Sequence, residues 1–193
     1  MKKFRLVSNF LFICIGLLAL SSCNSDPEPN VPYDAQDVYG EYDGTLTTNN
    51  VAPRNTKVAI TDIAITMSKF PFHELVRAAL PADKAEEAIK SMEKEIEFNF
   101  PYKAAKLSTG MISVSPIFYG SLAIPVIVDG QQQYVLATFD VPGDGVIPSG
   151  MYDPTSKTLR LEIKVTTLIY KNLKVEGFAG NTYRFVSTAK MQS

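Results

Sequence analysis

Side chains that build metal centres and nucleophilic active sites are scarce in this chain of 193 residues. It contains one His, two Cys and no Trp. A transition-metal centre usually takes several Cys or His ligands, and a catalytic Ser or Cys takes an imidazole as its base. The composition therefore argues against both kinds of site, and we expect no metal ion and no cofactor.

An excess of charge of either sign is also missing. The chain has 19 basic and 20 acidic residues, which gives a formal net charge of -1. Proteins that bind nucleic acid neutralise phosphates with a surplus of Lys and Arg. The charge balance therefore predicts no nucleic-acid partner, and the length fits one domain.

The first 22 residues have the three-part pattern of a secretory signal peptide. Three of the first five residues are basic, an unbroken apolar run follows from Phe10 to Leu20, and two serines precede Cys23. A helix needs about 20 apolar residues to cross a bilayer. The run is shorter than that, so residues 1–22 are predicted to be a signal peptide rather than a membrane anchor.

Cys23 is the predicted site of lipidation. The segment Leu20-Ser21-Ser22-Cys23 resembles the lipobox of bacterial lipoproteins. The resemblance implies that the signal is cut before Cys23 and that acyl chains such as palmitate are attached there. Two or three chains anchor a protein stably in a membrane. The alternative is an ordinary signal peptide with an incidental cysteine.

A flexible leash is predicted between this cysteine and the folded part. Residues 24–32 contain three Pro and two acidic residues but only one aliphatic side chain, Val31. Such a composition cannot bury enough apolar surface to fold. We therefore predict a lipidated Cys and leash over residues 23–37 and a single β-rich domain over residues 38–193. With Cys14 removed and Cys23 acylated, that domain would contain no thiol, which excludes disulfides.

Apolar residues alternate with polar ones through most of this domain, which is typical of half-buried strands. In the second strand, Thr61, Ile63, Ile65 and Met67 are predicted to form the more buried face. Asp129-Gly130 is a hairpin-turn signal. The predicted strands cover residues 38–48, 57–68, 95–102, 112–114, 122–128, 133–141, 159–170 and a final stretch, 173–188.

Helical spacing interrupts this pattern once. Apolar residues between Phe72 and Leu80, and again between Ala85 and Ile96, recur every three or four positions. They predict two short helices within residues 72–93. The fold class is therefore mainly β and antiparallel, with about eight strands and a short two-helix insertion. Short connections and unequal strands predict an up-and-down barrel or a curled sandwich.

Three segments resemble small Bacteroidetes envelope lipoproteins that contain a domain of unknown function with a calycin-like (lipocalin-like) fold. They are the lipobox, the opening VYGEYDGTL at residues 38–46 and the hairpin GMYDPTSKTL at residues 150–159. The resemblance implies a lipid-anchored protein of the bacterial outer membrane, facing the periplasm or the cell surface. True lipocalins carry a Gly-x-Trp motif in the first strand, which this chain lacks. The resemblance supplies no catalytic residue.

His73 and a cluster of glutamates are the candidates for acid–base chemistry. His73 could act as a general base or a pH sensor, but a surface or packing role is the simpler interpretation. Glu93, Glu95 and Glu97 lie where the second helix gives way to a strand, so two carboxylates could share one face. A solvated acidic face opposite Ile96 is favoured instead.

The segment from Asp140 to Gly145 partly matches a calcium-binding loop. Asp140, Asp144 and Gly145 occupy positions one, five and six of an EF-hand loop, whereas Pro142 and Met151 replace two required oxygen ligands. The segment is therefore predicted to be a turn rich in Gly and Asp rather than a metal site.

Three functions remain open at this point. The first is a non-enzymatic binding or accessory module for a small apolar ligand, a glycan or a partner protein. The second is a structural or assembly lipoprotein with a solid core. The third is a hydrolase that uses carboxylates alone, for which the sequence shows no cleft. We expect the protein not to be an enzyme.

Overall fold

An antiparallel sheet of twelve strands dominates the computed structural model, which describes residues 34–48, 52–92, 97–140 and 149–190. These residues belong to one compact unit, Tyr33–Ser193. A short 3-10 helix, Ala35–Val38, precedes the first strand. The strands are β1 (Gly40–Thr48), β2 (Arg54–Ile60), β3 (Ile65–Met67), β4 (Phe98–Phe100), β5 (Tyr102–Lys106), β6 (Ile112–Pro116), β7 (Ser121–Val128), β8 (Gln131–Phe139), β9 (Gly150–Asp153), β10 (Thr158–Tyr170), β11 (Leu173–Lys174) and β12 (Asn181–Lys190).

The sheet curls into a nearly closed barrel, because its two ends are joined by one stretch of chain. The order of strands is β4-β3-β2-β1-β12-β10-β9-β6-β5. Only Pro101 separates β4 from β5, and its carbonyl accepts a hydrogen bond from the N–H of Ile117 at 2.8 Å. With β4 and β5 taken as one bent strand, the ring has eight members, each antiparallel to its neighbours.

The predicted class, a mainly β antiparallel fold with two inserted helices, is confirmed, but the number of strands is twelve rather than eight. One cause is the strand predicted over residues 57–68, which is divided into β2 and β3. The hydroxyl of Thr61 accepts the N–H of Ala64 at 3.2 Å and so turns the chain. As a result, Ile65 and Met67 are buried as predicted, whereas Ile63 is 75% exposed.

A hairpin formed by β7 and β8 lies outside the eight-membered ring. Its turn, Asp129-Gly130, has positive φ at both residues, 53° and 72°, which matches the twist of paired strands. The first part of β10 pairs with β9. From Val165 onwards β10 pairs with β8 instead, with a register shift between Val165 and Thr167. The hairpin thus extends the sheet at the far end of β10.

Two helices cover one face of this extension. They are α1 (Phe72–Ala79) and α2 (Ala82–Ser91), inside the segment where the sequence predicts them. α1 contacts β8 and β10, and α2 contacts β7. An ion pair between Arg54 on β2 and Glu74 on α1 ties the insertion to the barrel. Among the described residues, no helix has both the length and the apolar character of a membrane span.

Aromatic rings pack together where the helices and the hairpin meet the barrel. The closest pairs are Phe70–Phe98 at 4.5 Å, and Phe118–Phe139 and Phe70–Tyr183, both at 4.7 Å between ring centroids. Aromatic pairs at such separations add about 0.5–1.5 kcal/mol each to the free energy of burial. The cluster fills this end of the barrel with side chains and comprises Phe70, Phe72, Phe98, Phe100, Phe118, Phe139 and Tyr183.

Candidate functional site

A notch in the sheet lies at the end of the β7–β8 hairpin. The last pair between β8 and β10 is Val135 with Tyr170, but β8 begins four residues earlier, at Gln131. β10 ends in a turn at Lys171-Asn172, where both residues have positive φ, 50° and 63°. In the described part of the chain, β10 therefore provides no partner for residues 131–134 of β8.

The notch opens into a cleft of about 590 Å³. This volume lies within the range of about 300–1,000 Å³ that is usual for sites of small molecules. Its lining combines three aliphatic residues, two tyrosines, three side-chain amides and one ammonium group. The lining residues are Ala123, Gln131, Gln133, Tyr134, Leu136, Ile169, Tyr170, Lys171 and Asn172.

Tyr134 forms one wall of the cleft. Its side chain is 48% exposed. The Nε2 of Gln132 donates a hydrogen bond to the Tyr134 hydroxyl at 2.7 Å. Residues two apart on a strand share a face, so this contact holds the ring in one orientation. The exposed ring is therefore pre-positioned.

Tyr170 forms a second wall, and two neighbours fix it. Its hydroxyl donates a hydrogen bond to Oε1 of Gln133. The Nζ of Lys171 lies over its ring, 5.4 Å from the centroid, at the distance of a cation–π contact. The Gln133 amide, with its oxygen occupied in this way, still carries two N–H donors on its nitrogen.

The titratable side chains in the described lining of this cleft are those of Tyr134, Tyr170 and Lys171. None of its nine residues is Asp, Glu, His, Cys, Ser or Thr. General acid–base catalysis takes a titratable group within hydrogen-bond reach of the reacting atom. The hydroxyls of both tyrosines are hydrogen-bonded to glutamines, and Nζ of Lys171 lies over the Tyr170 ring. The apolar floor and polar walls of the cleft are suited to binding a small molecule.

A second cleft, of about 440 Å³, lies on the barrel wall over β1 and β2. Its charged groups include Asp43 and Lys57, which face each other at 3.8 Å, and Lys69. The Ser68 hydroxyl accepts the N–H of Lys57 at 3.1 Å. These groups interact with one another on an exposed surface, so this cleft carries no argument for a ligand.

The predicted lipidation site, Cys23, lies outside the described residues, as do the predicted signal peptide and the leash up to residue 33. The structure therefore does not test the boundaries predicted at residues 22 and 37. The first element of the described residues is the 3-10 helix, Ala35–Val38.

The predicted acid–base candidates do not converge on the cleft. His73 is exposed in the first turn of α1, and Glu97 is exposed just before β4. Glu93 and Glu95 lie outside the described residues. Glu74, beside His73, has an altered environment: burial raises its pKa, and Arg54 and Arg77 oppose that shift.

The partial calcium-loop match is not assembled by the described residues. Asp140 is exposed, and its carboxylate faces Nζ of Lys164 at 3.6 Å. Asp144 and Gly145 lie outside the described residues. Among the residues that the structure describes, no group of three His, Cys, Asp or Glu side chains is placed to hold a metal ion.

The cleft residues were not predicted from the sequence. Two local signals point to them in retrospect. Three consecutive glutamines, residues 131–133, lead into Tyr134 at the start of a strand, where an inward-facing position would normally be apolar. Lys171-Asn172 follows a long strand and suggests a tight turn. Neither signal shows that the two segments meet.

The fold and the cleft define an antiparallel, nearly closed β-barrel with a two-helix insertion and an added hairpin. Residues 37–170 match the family described as a domain of unknown function (DUF4840), and the chain belongs to that family. The matched segment runs from the 3-10 helix to the last residue of β10. Comparisons with curated proteins and with solved structures gave no match.

Proposed function

We propose that this protein is a non-enzymatic, lipid-anchored binding module of the bacterial outer membrane. The observation that carries the proposal is the cleft between the β7–β8 hairpin and the Lys171-Asn172 turn. It combines apolar and polar lining residues with a volume of about 590 Å³, and none of its described lining residues is a carboxylate, an imidazole or a thiol. The Bacteroidetes lipoprotein resemblance, with acylation at Cys23, supplies the anchor in this proposal.

The position of the cleft within the domain supports a binding role for an anchored protein. Thr45 on β1 is paired with Val186 on β12, and Val186 is paired in turn with Arg160 on β10, so β1 and β10 run in the same direction. The chain therefore enters the barrel at the end where β10 begins. The cleft lies where β10 ends, 13 residues further on, which corresponds to about 40 Å of strand. A tether at Cys23 would attach at the end away from the cleft.

The packing of the barrel favours this outer cleft over an internal ligand site. Lipocalin-type barrels hold a ligand among their inward-facing side chains. Here Tyr42, Tyr183 and Phe185 point inward and are fully buried, and the aromatic cluster fills the end next to the helices. The same packing favours a second candidate, a structural lipoprotein with a solid core, in which the cleft has no ligand.

Metabolic labelling with an alkyne fatty acid tests the anchor. We expect the full-length protein to be labelled in its own host and Cys23→Ala to remain unlabelled. Cys14→Ala is the matched control, because it changes the other cysteine and should leave labelling intact. Labelling that persists in Cys23→Ala would refute the lipidation.

Hydrogen exchange tests the binding role of the cleft. The detergent-extracted protein would be compared in buffer and in an envelope extract from cells that lack it. We expect slower exchange only around residues 131–136 and 169–174. Ala123→Trp, which fills the floor of the cleft, should abolish this protection. Ser121→Trp, on the same face of β7 but outside the cleft, should preserve it. Unchanged exchange in wild type would favour the structural candidate.

A further inference from the structure

We infer that the ligand of the cleft is a neutral carbohydrate chain, one ring of which stacks on Tyr134. This inference rests on the proposed binding function and names its ligand class. It starts from the juxtaposition of an exposed, fixed tyrosine ring with three side-chain amides in one open cleft: Tyr134, Gln131, Gln133 and Asn172.

The Tyr134 ring has the properties of a stacking platform. A pyranose presents a face of C–H groups that is apolar, while its rim carries hydroxyls. An exposed aromatic face buries such C–H groups and attracts their partial positive charge. The hydrogen bond from Gln132 already holds the ring in place. Because the Tyr134 side chain is already held in one orientation, a ligand would restrict its motion little further, which lowers the entropic cost of binding.

The amides that line the cleft match the rim of a sugar. Each hydroxyl of a carbohydrate both donates and accepts a hydrogen bond, and a Gln or Asn side chain offers both functions. Gln133 accepts from Tyr170 through Oε1, so its nitrogen can donate to a ligand. Gln131 and Asn172 lie on opposite sides of the notch, on β8 and on the turn that follows β10.

The charges of the cleft favour a neutral ligand. Lys171 is the single ionisable cation among the nine described lining residues, and its Nζ lies over the Tyr170 ring. Sites for phosphate or carboxylate groups usually employ Arg in a bidentate geometry, and the lining has none. A purely apolar ligand would offer no hydrogen-bond partner to the amides of Gln131 and Asn172 or to the nitrogen of Gln133, which is unfavourable.

An extended peptide is the competing occupant. Residues 131–134 of β8 project past the end of β10, so a strand could add to their edge through main-chain hydrogen bonds. Such binding would depend on the backbone and little on the Tyr134 ring. The side chains of the cleft favour the carbohydrate, and the two ligands respond differently to the same variants.

The test is saturation-transfer NMR and titration calorimetry on the full mature chain. The probes are maltotetraose, cellotetraose, xylotetraose, mannotetraose and chitotetraose, together with a tetra-alanine peptide. We expect wild type to bind at least one of the sugars, with saturation strongest on the ring C–H protons. Tyr134→Ala should weaken binding by at least about tenfold, because it removes the platform. Tyr134→Phe should weaken it by about threefold or less.

The matched control is Tyr119→Ala, which removes a tyrosine that is 83% exposed and outside the cleft, and which should bind as wild type does. Equal sugar affinity in wild type and Tyr134→Ala would overturn the stacking role. Binding of the peptide without any sugar, combined with exchange protection at the cleft, would overturn the carbohydrate but leave the binding function intact. If neither a sugar nor the peptide binds and the cleft shows no exchange protection, the binding function is overturned as well.

Discussion

The hydroxyl of Ser91, the last residue of α2, accepts a hydrogen bond from the main-chain N–H of Ile127 at 3.0 Å. It also donates one to the carbonyl of Ala88 at 2.6 Å. β7 is the outer strand of the hairpin, and such edges promote association with other chains when they are left bare. Pro125, two residues earlier, has no N–H to present. The insertion and the proline therefore protect the same edge.

Ser91→Ala should destabilise the domain by about 1 kcal/mol, because Ile127 loses its acceptor. The amide of Ile127 should then exchange faster with solvent, as measured by NMR. Ser91→Thr keeps the hydroxyl and is the matched control. Equal exchange rates for Ile127 in wild type and Ser91→Ala would contradict this role of the side chain.

Leu161→Asp should unfold the domain. Leu161 points into the barrel and is 3% exposed. A carboxylate there would be buried without a partner, at a cost of several kcal/mol, which is comparable with the stability of a whole domain. Arg160→Asp places the same charge on the exposed face of β10 and should remain folded. Thermal unfolding followed by circular dichroism distinguishes them, and equal curves would contradict the assigned faces.

Gly44→Ala should destabilise the barrel by about 1–3 kcal/mol through overpacking. A methyl group at this position would lie 2.5 Å from the carbonyl oxygen of Val186 and 2.6 Å from the Phe185 ring. β1 and β12 would have to separate to admit it. Chemical denaturation measures the effect, with Thr45→Ala on the opposite face as a control expected to change stability by less than about 0.5 kcal/mol. Wild-type stability in Gly44→Ala would show that the two strands are not packed so closely.

Alkaline pH should unfold the domain through its buried tyrosines. Burial raises the pKa of Tyr102 and Tyr183 from 10.0 to about 12, and it also raises the pKa of Tyr42. Each group contributes stability that is fully present below pH 10, where both states are protonated. This contribution is lost as the pH rises towards 12, because the unfolded chain ionises first.

The corresponding measurement is the melting temperature against pH, combined with the absorbance of tyrosinate. We expect a subset of the nine tyrosines to ionise only when the domain unfolds. Tyr183→Phe should flatten the alkaline decline in melting temperature, whereas Tyr119→Phe should follow wild type. Smooth ionisation of all tyrosines before unfolding would contradict the burial of these side chains.

Local patterns were sufficient to predict much of the fold. The alternation from Leu159 to Val165 predicts the inward face of β10, and the helical spacing after Phe72 predicts α1. Two features of the fold that these patterns did not predict depend on single residues. The hydroxyl of Thr61 turns the chain in mid-strand, and Pro101 divides one strand between two neighbours. Both events depend on hydrogen bonds that periodicity does not record.

The cleft could not be predicted because it is made by the meeting of distant segments. Tyr134 and Tyr170 are 36 residues apart, and they approach only because β10 changes partner from β9 to β8. That change of partner falls between Leu161 and Val165, within an unbroken alternation of buried and exposed residues, so the sequence offers no local sign of it. Exposed aromatic and amide side chains on such an edge become informative only once the pairing is known.

The pairing of β1 with β12 has a consequence for when the barrel can form during synthesis of the chain. The first and last strands of the domain are neighbours, so the barrel cannot close until the whole chain is present. Contacts between such distant segments form late and slowly during folding. Premature termination before residue 181 would therefore leave β1 and β10 without the strand that joins them.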